Sequence, residues 1–193
     1  MIYLDHAATT KPYKEVTEVQ ALSMDEEFFN PSSSYKVAKD LARKITSEFQ
    51  SLAQDLDCSP DELIHTSGAT EASNHVIKGL FQQYGRRLNH FVCLASDHDC
   101  TLKPLESIES LGAQVSYLKP TKETKYDLEE LSSVLNNKTL LVNILYVNNE
   151  SGTLQAIEKI CALIRERAPN AFILGDFVQA WGKVEFSMRK IDV

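Results

Sequence analysis

The chain lacks most of the features that announce a function outright. Its 193 residues hold no run of 18 apolar residues, which excludes an ordinary transmembrane helix. The opening Met1-Ile2-Tyr3-Leu4-Asp5-His6 has no basic segment followed by a long apolar stretch, so no signal peptide and a cytoplasmic location are expected. Four cysteines, Cys58, Cys93, Cys100 and Cys161, form no CxxC pair. That spacing suits neither a zinc site nor a disulfide framework, and no metal is expected. They read as reduced thiols, with Cys93 and Cys161 in the core. Cys100, two residues after His98, reads as core or incidental. There is no GxGxxG and no Gly-Lys-Ser/Thr phosphate loop. Basic charge is in short supply: 20 Lys and Arg stand against 27 Asp and Glu, a net −7, which argues against nucleic acid and anionic membranes as partners. Internal repeats and low-complexity segments are also missing.

What is present is an alternation. A hydrophobic content of 43% can fill a sizeable core. Helices are predicted over 13–29 and over 35–56, the second from Val37, Leu41, Ile45, Phe49 and Leu52 recurring every three or four residues. After the Ser59-Pro60 break, Glu62 to Thr66 reads as a short strand and 70–84 as a helix. Strands are then predicted at 91–95, 114–118, 139–147 and 171–176. Between them lie helices marked by Leu105, Ile108 and Leu111, by a capping-box pattern at Asp127 and Glu130, and by Ile157, Ile160, Cys161 and Ile164. Such alternation predicts an α/β domain: a mainly parallel sheet flanked by helices on both faces, over 61–193. Residues 1–60 lie outside the series and read as an arm and helices of a minor subdomain.

Four segments at the carboxyl ends of these strands carry chemistry, which is where open α/β sheets place their ligands. Thr66-Ser67-Gly68-Ala69-Thr70-Glu71 joins strand to helix with small residues and hydroxyls. The N–H groups of the helix start favour an anion there, so the segment is either a phosphate cup or a plain capped turn. His98, past another strand, could stack on a planar ligand, shuttle protons, or sit idle on the surface. Asn148-Asn149-Glu150-Ser151-Gly152 is turn chemistry or an amide donor. Asp176 ends an apolar run, and a carboxylate there must be paired or costly; Gln179 follows three residues later. Taken together, an anion cup, an imidazole, an amide and a carboxylate along one sheet edge fit a ligand with a phosphate, a planar ring and a protonated ring nitrogen. Pyridoxal 5′-phosphate has all three.

Six ordered segments also resemble a known family. They are Tyr3-Leu4-Asp5-His6-Ala7-Ala8-Thr9-Thr10, Asn30-Pro31-Ser32-Ser33, 66–71, Asp97-His98, Val147 to Thr153, and Asp176-Phe177-Val178-Gln179-Ala180-Trp181-Gly182-Lys183. From Ile2 to Lys183 the chain resembles the cysteine desulfurases of the class V aminotransferase group, fold-type I pyridoxal-phosphate enzymes. The resemblance implies that Ala69 and Thr70 bind the cofactor phosphate and that His98 stacks on the ring and moves protons. It implies that Asn149 and Gln179 contact the ring oxygen and that Asp176 pairs with the ring nitrogen. Asn149, Ala8 and Thr9 would meet the substrate.

It further implies conversion of L-cysteine to alanine, with sulfur passed through an enzyme persulfide to an acceptor protein, for iron–sulfur assembly or tRNA thiolation, in a homodimer. Selenocysteine lyases and other class V members share the same first half, and a non-catalytic, partner-binding protein is the alternative from another class. Two departures stand out. The family's Ser-x-His-Lys segment, whose lysine carries the cofactor as a Schiff base, is not among the 17 residues beyond Asp176; nor are its persulfide cysteine and carboxylate-binding arginine. The chain is therefore expected to be the cofactor-domain portion of such an enzyme, truncated and inactive alone. Tyr35 and Ala38 also stand where the family commonly has histidine and glycine.

Overall fold

The computed structural model describes residues 2–189, 191 and 193. The chain divides into two compact units after Ile64. In the first, α1 (Lys14–Glu26) and α2 (Lys36–Leu56) are the regular elements, with a 3₁₀ turn at Pro60–Glu62. An ion pair, Lys44 Nζ to Glu27 Oε1 at 2.5 Å, ties α2 to the residue that ends α1. The end of α2 is a Schellman motif: Cys58 N–H donates to Ala53 C=O and Asp57 N–H to Gln54 C=O, with Asp57 left-handed at φ 57°.

The strand expected at Glu62–Thr66 does not form. Glu62 belongs to the 3₁₀ turn, where its Oε2 accepts from the Ser59 N–H at 2.7 Å. Ile64 is exposed. Alternating apolar residues make a strand only where a neighbouring strand accepts their backbone groups; none of the four strands pairs with this stretch.

The second unit is the α/β body. Its elements run α3 (Ala69–Tyr84), β1 (His90–Leu94), α4 (Asp99–Glu109), β2 (Gln114–Leu118), α5 (Leu128–Val134), β3 (Thr139–Leu145), α6 (Ile157–Arg167) and β4 (Phe172–Asp176). The four strands form one parallel sheet in the order β2-β1-β3-β4. β3 is two residues shorter than its apolar run, because Val147 instead bridges antiparallel to Leu154 around the 148–153 turn.

Burial on both faces explains why β1 and β3 read as continuous apolar runs. Side chains still alternate. Phe91, Cys93 and Leu141 pack with Ile77 of α3 and with Leu105 and Ile108 of α4. Val92, Leu94, Val142 and Ile144 pack with Leu131 of α5 and with Ile157, Ile160 and Ile164 of α6. Each fully buried side chain of this size contributes roughly 1.5–3 kcal/mol. The same alternation fixes the site. Asn143 follows Leu141 by two, and Asp176 follows Leu174 by two, so both carboxyl-end polar groups face the α3–α4 layer.

Candidate functional site

Parallel register lines up the strand ends. Leu94 stands opposite Leu118, and Leu145 opposite Asp176. The loops that follow β1, β3 and β4 therefore leave the sheet along one edge, and Asn148 Nδ2 donates to the Ser96 carbonyl at 3.3 Å, joining two of them.

Asp176 is buried, 9% exposed. Its Oδ1 accepts from the Val178 N–H at 3.0 Å, and its Oδ2 from the Cys100 thiol at 3.6 Å. Both donors are neutral. A buried carboxylate with neutral partners has electrostatic room for a cation. Gly175, just before it, allows a close approach: a Cβ there would lie 2.3 Å from the Phe177 ring. Burial and the Asp176 charge both push the Cys100 thiol up, so the sulfur stays protonated as a donor.

The thiol also carries the link to α3. Ser73 Oγ lies 3.9 Å from Cys100 Sγ, one turn beyond Ala69 and Thr70. Gly68, the N-cap, has φ 156° and no side chain to cap the helix. That φ favours glycine, and the position of a Cβ there would be open space. The turn is held from outside by Glu71, whose Oε2 accepts from the Ser67 N–H at 2.7 Å. A helix start without a side-chain cap suits an anion.

His98 is exposed and forms the N-cap of α4. Its Nδ1 accepts from the Cys100 N–H at 3.1 Å, which assigns the proton of the neutral ring to Nε2. Asn149 is half-buried. Its neighbour Asn148 builds the turn, with Oδ1 accepting from the Glu150 and Ser151 N–H groups at 2.9 Å each. Lys183 Nζ donates to Gln179 Oε1 at 2.7 Å and so orients that amide.

Ala69, Thr70, His98, Asn149, Asp176 and Gln179 thus all belong to the second unit and to its strand-end loops or helix starts. Ala8 and Thr9 belong to the first unit and are exposed. A cavity of about 560 Å³ elsewhere on the second unit is lined by Tyr146, Gln155, Ile157, Phe186 and Ile191 among others, and by none of the residues above. Among the described residues no cluster of three or more His, Cys, Asp and Glu could hold a metal ion, and no helix is long and apolar enough to cross a membrane.

Sequence reasoning missed the buried polar groups behind these side chains. Asp97 Oδ2 accepts from Asn143 Nδ2 at 2.8 Å and from the Leu94 N–H at 3.2 Å. Thr101 Oγ1 lies 3.4 Å from Asn143 Oδ1, and the Tyr126 hydroxyl donates to the Asn143 carbonyl. One signal was available: Asn143 interrupts the apolar run Leu140 to Val147.

The match to known proteins covers the same elements. The family model for aminotransferase class-V matches residues 2–193. The chain belongs to that family. This class-V chain is 32% identical over 193 residues to the cysteine desulfurase IscS of Rickettsia prowazekii, covering all of the chain and 47% of that protein. It is 33% identical over 195 residues to the cysteine desulfurase IscS of Vibrio campbellii, covering 48% of it. Among solved structures, a NifS-like protein superposes with a TM-score of 0.96 at 28% identity, covering all of this chain and 53% of that one. SspA in complex with cysteine superposes at 0.93 with 28% identity, covering all of this chain and 55% of that one. The class-V chain therefore spans about half the length of the relatives it matches.

Proposed function

We propose that this class-V chain is the cofactor-cradling part of a cysteine desulfurase that uses pyridoxal 5′-phosphate. The observation that carries the reading is Asp176: a buried carboxylate at a strand end, hydrogen-bonded among the described residues to neutral donors, in a chain one-third identical to cysteine desulfurases. The donor set fits the cofactor at both ends. Gly68, Ala69 and Thr70 would hold the phosphate at the uncapped start of α3. Asp176 would hold a proton at the ring nitrogen, and Asn149 and Gln179 would meet the ring oxygen. When bound, the cofactor supplies an electron-withdrawing ring that makes the Cα proton of an amino acid removable.

The chain's own residues then have defined tasks. His98, with Nδ1 accepting from the Cys100 N–H, would cover the ring and could move a proton through Nε2. Asp176 would hold a proton at the ring nitrogen, and the Cys100 S–H and Val178 N–H keep Asp176 oriented. Asn149, with Ala8 and Thr9, would meet the amino-acid substrate, read as L-cysteine because a structural relative is described in complex with cysteine. A sulfur-acceptor protein, a homodimer and iron–sulfur assembly belong to the same proposal.

The test uses the full-length enzyme whose cofactor domain this sequence represents. Sulfide and alanine are measured from cysteine with added pyridoxal phosphate and a dithiol reductant, which releases the persulfide sulfur as sulfide, alongside Asp176→Ala. Cysteine-dependent release of both products, lost on Asp176→Ala, supports the proposal. Turnover of selenocysteine or another amino acid in place of cysteine rejects the desulfurase reading while keeping the cofactor. Absence of cofactor binding and of any turnover rejects both and favours a partner-binding protein.

A further inference from the structure

The hydrogen bonds behind the site end in a second carboxylate that the proposed chemistry does not use. Asp97 is 5% exposed. Its Oδ2 is held by Asn143 and by the Leu94 N–H. Among the described residues its Oδ1 has no hydrogen-bond partner, and neither does Ser96 Oγ, the adjacent buried hydroxyl. An unpaired buried carboxylate oxygen is costly unless it carries a proton or a donor reaches it.

A line of polar contacts connects this carboxylate to Asp176. Asn143 binds Asp97 through Nδ2 and meets Thr101 Oγ1 through Oδ1 at 3.4 Å; Thr101 Oγ1 lies 4.0 Å from Cys100 Sγ; and Cys100 Sγ donates to Asp176 Oδ2 at 3.6 Å. The titratable groups that interact with Asp97 are Asp176 from β4, Cys93 from β1 and Tyr126 ahead of α5. On its own stretch of chain stand His98, with Nδ1 turned to the Cys100 N–H, and Cys100. Burial holds the Cys93 thiol and the Tyr126 phenol neutral. No cation acts on Asp97 among the described residues.

Two carboxylates sharing such surroundings do not both ionise cheaply. The more deeply buried one, with an oxygen left over, takes the proton. We propose that Asp97 is a positioning residue of this site: it keeps its proton while Asp176 is an unpaired anion, and releases it to solvent when a cation pairs with Asp176. Burial and the Asp176 charge push the Asp97 carboxyl up to about 7, so the release falls in the neutral range. The inference rests on the cofactor reading above, since a protonated ring nitrogen is the cation it expects. Ionised Asp97 then adds a second negative charge behind Asp176, and cofactor affinity rises with pH across this titration.

The test reads the carboxylates directly in the 193-residue protein. Aspartates are labelled with ¹³C at the carboxyl carbon and titrated by NMR in the wild type, in Asp97→Asn, which identifies the Asp97 resonance, and in Asp176→Asn. The amide introduced by Asp97→Asn keeps an acceptor for Asn143 and mimics the protonated acid. The expected result is an Asp97 midpoint near neutrality, raised chiefly by burial, that moves down in Asp176→Asn. An Asp97 resonance that titrates with the ordinary carboxylates, or a midpoint unmoved by Asp176→Asn, overturns the proposal. Should Asp176→Asn not fold, urea midpoints against pH for wild type and Asp97→Asn decide it: parallel curves overturn the proposal, and loss of the neutral-range slope in the variant supports it.

Binding of pyridoxal phosphate to the full-length enzyme, followed by fluorescence, is the second arm. Affinity should be tighter above the Asp97 titration than below it in the wild type, and should lose that step in Asp97→Asn. An unchanged step in Asp97→Asn overturns the proposal. No binding at any pH, with the Asp176→Asn shift intact, supports the carboxylate coupling and rejects the cofactor reading.

Discussion

The two ends of the β-sheet solve the same problem in opposite ways. At the amino end, His90 is buried and both ring nitrogens are engaged: Nδ1 lies 2.9 Å from Thr139 Oγ1 and 3.3 Å from Asn136 Nδ2, and Nε2 lies 2.9 Å from Ser116 Oγ. Three loop or strand partners close the network, and Thr139 Oγ1 also accepts from the Asn136 N–H. At the carboxyl end, among the described residues, Asp97 and Ser96 each keep a buried atom without a partner, and the donors to Asp176 are neutral. A closed network stabilises a fold. An open one is tolerated where a ligand completes it. The difference separates a closed polar network from an open one inside one sheet, and the proposed site lies at the open end.

The sharpest test of that contrast is Asp176→Asn. On the proposed reading it should lower turnover of cysteine by the full-length enzyme about 10²–10³-fold. The urea stability of the 193-residue protein should move by less than about 1 kcal/mol. His90→Ala should do the reverse. It opens a cavity and orphans Thr139 and Ser116, costing about 2–4 kcal/mol by urea denaturation while leaving pyridoxal-phosphate affinity unchanged. If His90→Ala weakens cofactor binding as much as it weakens the fold, the division between the two ends fails.

Asn143→Leu tests the open network from within. It removes the 2.8 Å donor to Asp97 and strands Thr101, at a cost of about 1–3 kcal/mol. Since the Asn143 bond favours ionised Asp97, the carboxyl should become harder to ionise, visible as a later midpoint in the labelled titration. The smallest effect is a pair of opposite pH slopes. Asp97 is raised in the fold, so its contribution is fully present below about pH 4 and is lost as pH rises through about 7. Burial lowers His90, so its contribution is present above about pH 6.5 and is lost as pH falls. Urea midpoints of Asp97→Asn and His90→Gln across pH 4 to 8 should each lose one slope and keep the other.

Much of this body was legible in the sequence because burial on both faces writes strands as largely apolar runs, broken in β3 by Asn143. Phe91 to Leu94 and Leu140 to Leu145 could hardly be anything else once helices separated them. Capping was equally plain: Asp127 accepts from the Glu129 and Glu130 N–H groups as the pattern implied. Glu62–Thr66 misled because a strand is a property of its neighbour as much as of its own residues. Within the site, the strand-end positions of Asp176 and His98 could be read from local order. The Cys100 bond to Asp176 could not: it joins residues 76 apart in sequence. Nor could the fate of the two asparagines, where Asn148 builds the turn and Asn149 is left for other uses; adjacent identical residues carry no mark of which way each will face.

The strand order has a consequence for synthesis on the ribosome. β1 is a central strand, yet its two neighbours emerge at different times. β2 follows closely, while β3 comes only after residues 119–138 have been made. At ordinary elongation rates that interval is roughly 1–4 s. Throughout it, Phe91, Val92 and Cys93 present an apolar strand with one unpaired edge, open to any other nascent chain. The central position that later shields β1 on both sides leaves it, for those seconds, open along one edge to the contacts a chaperone prevents.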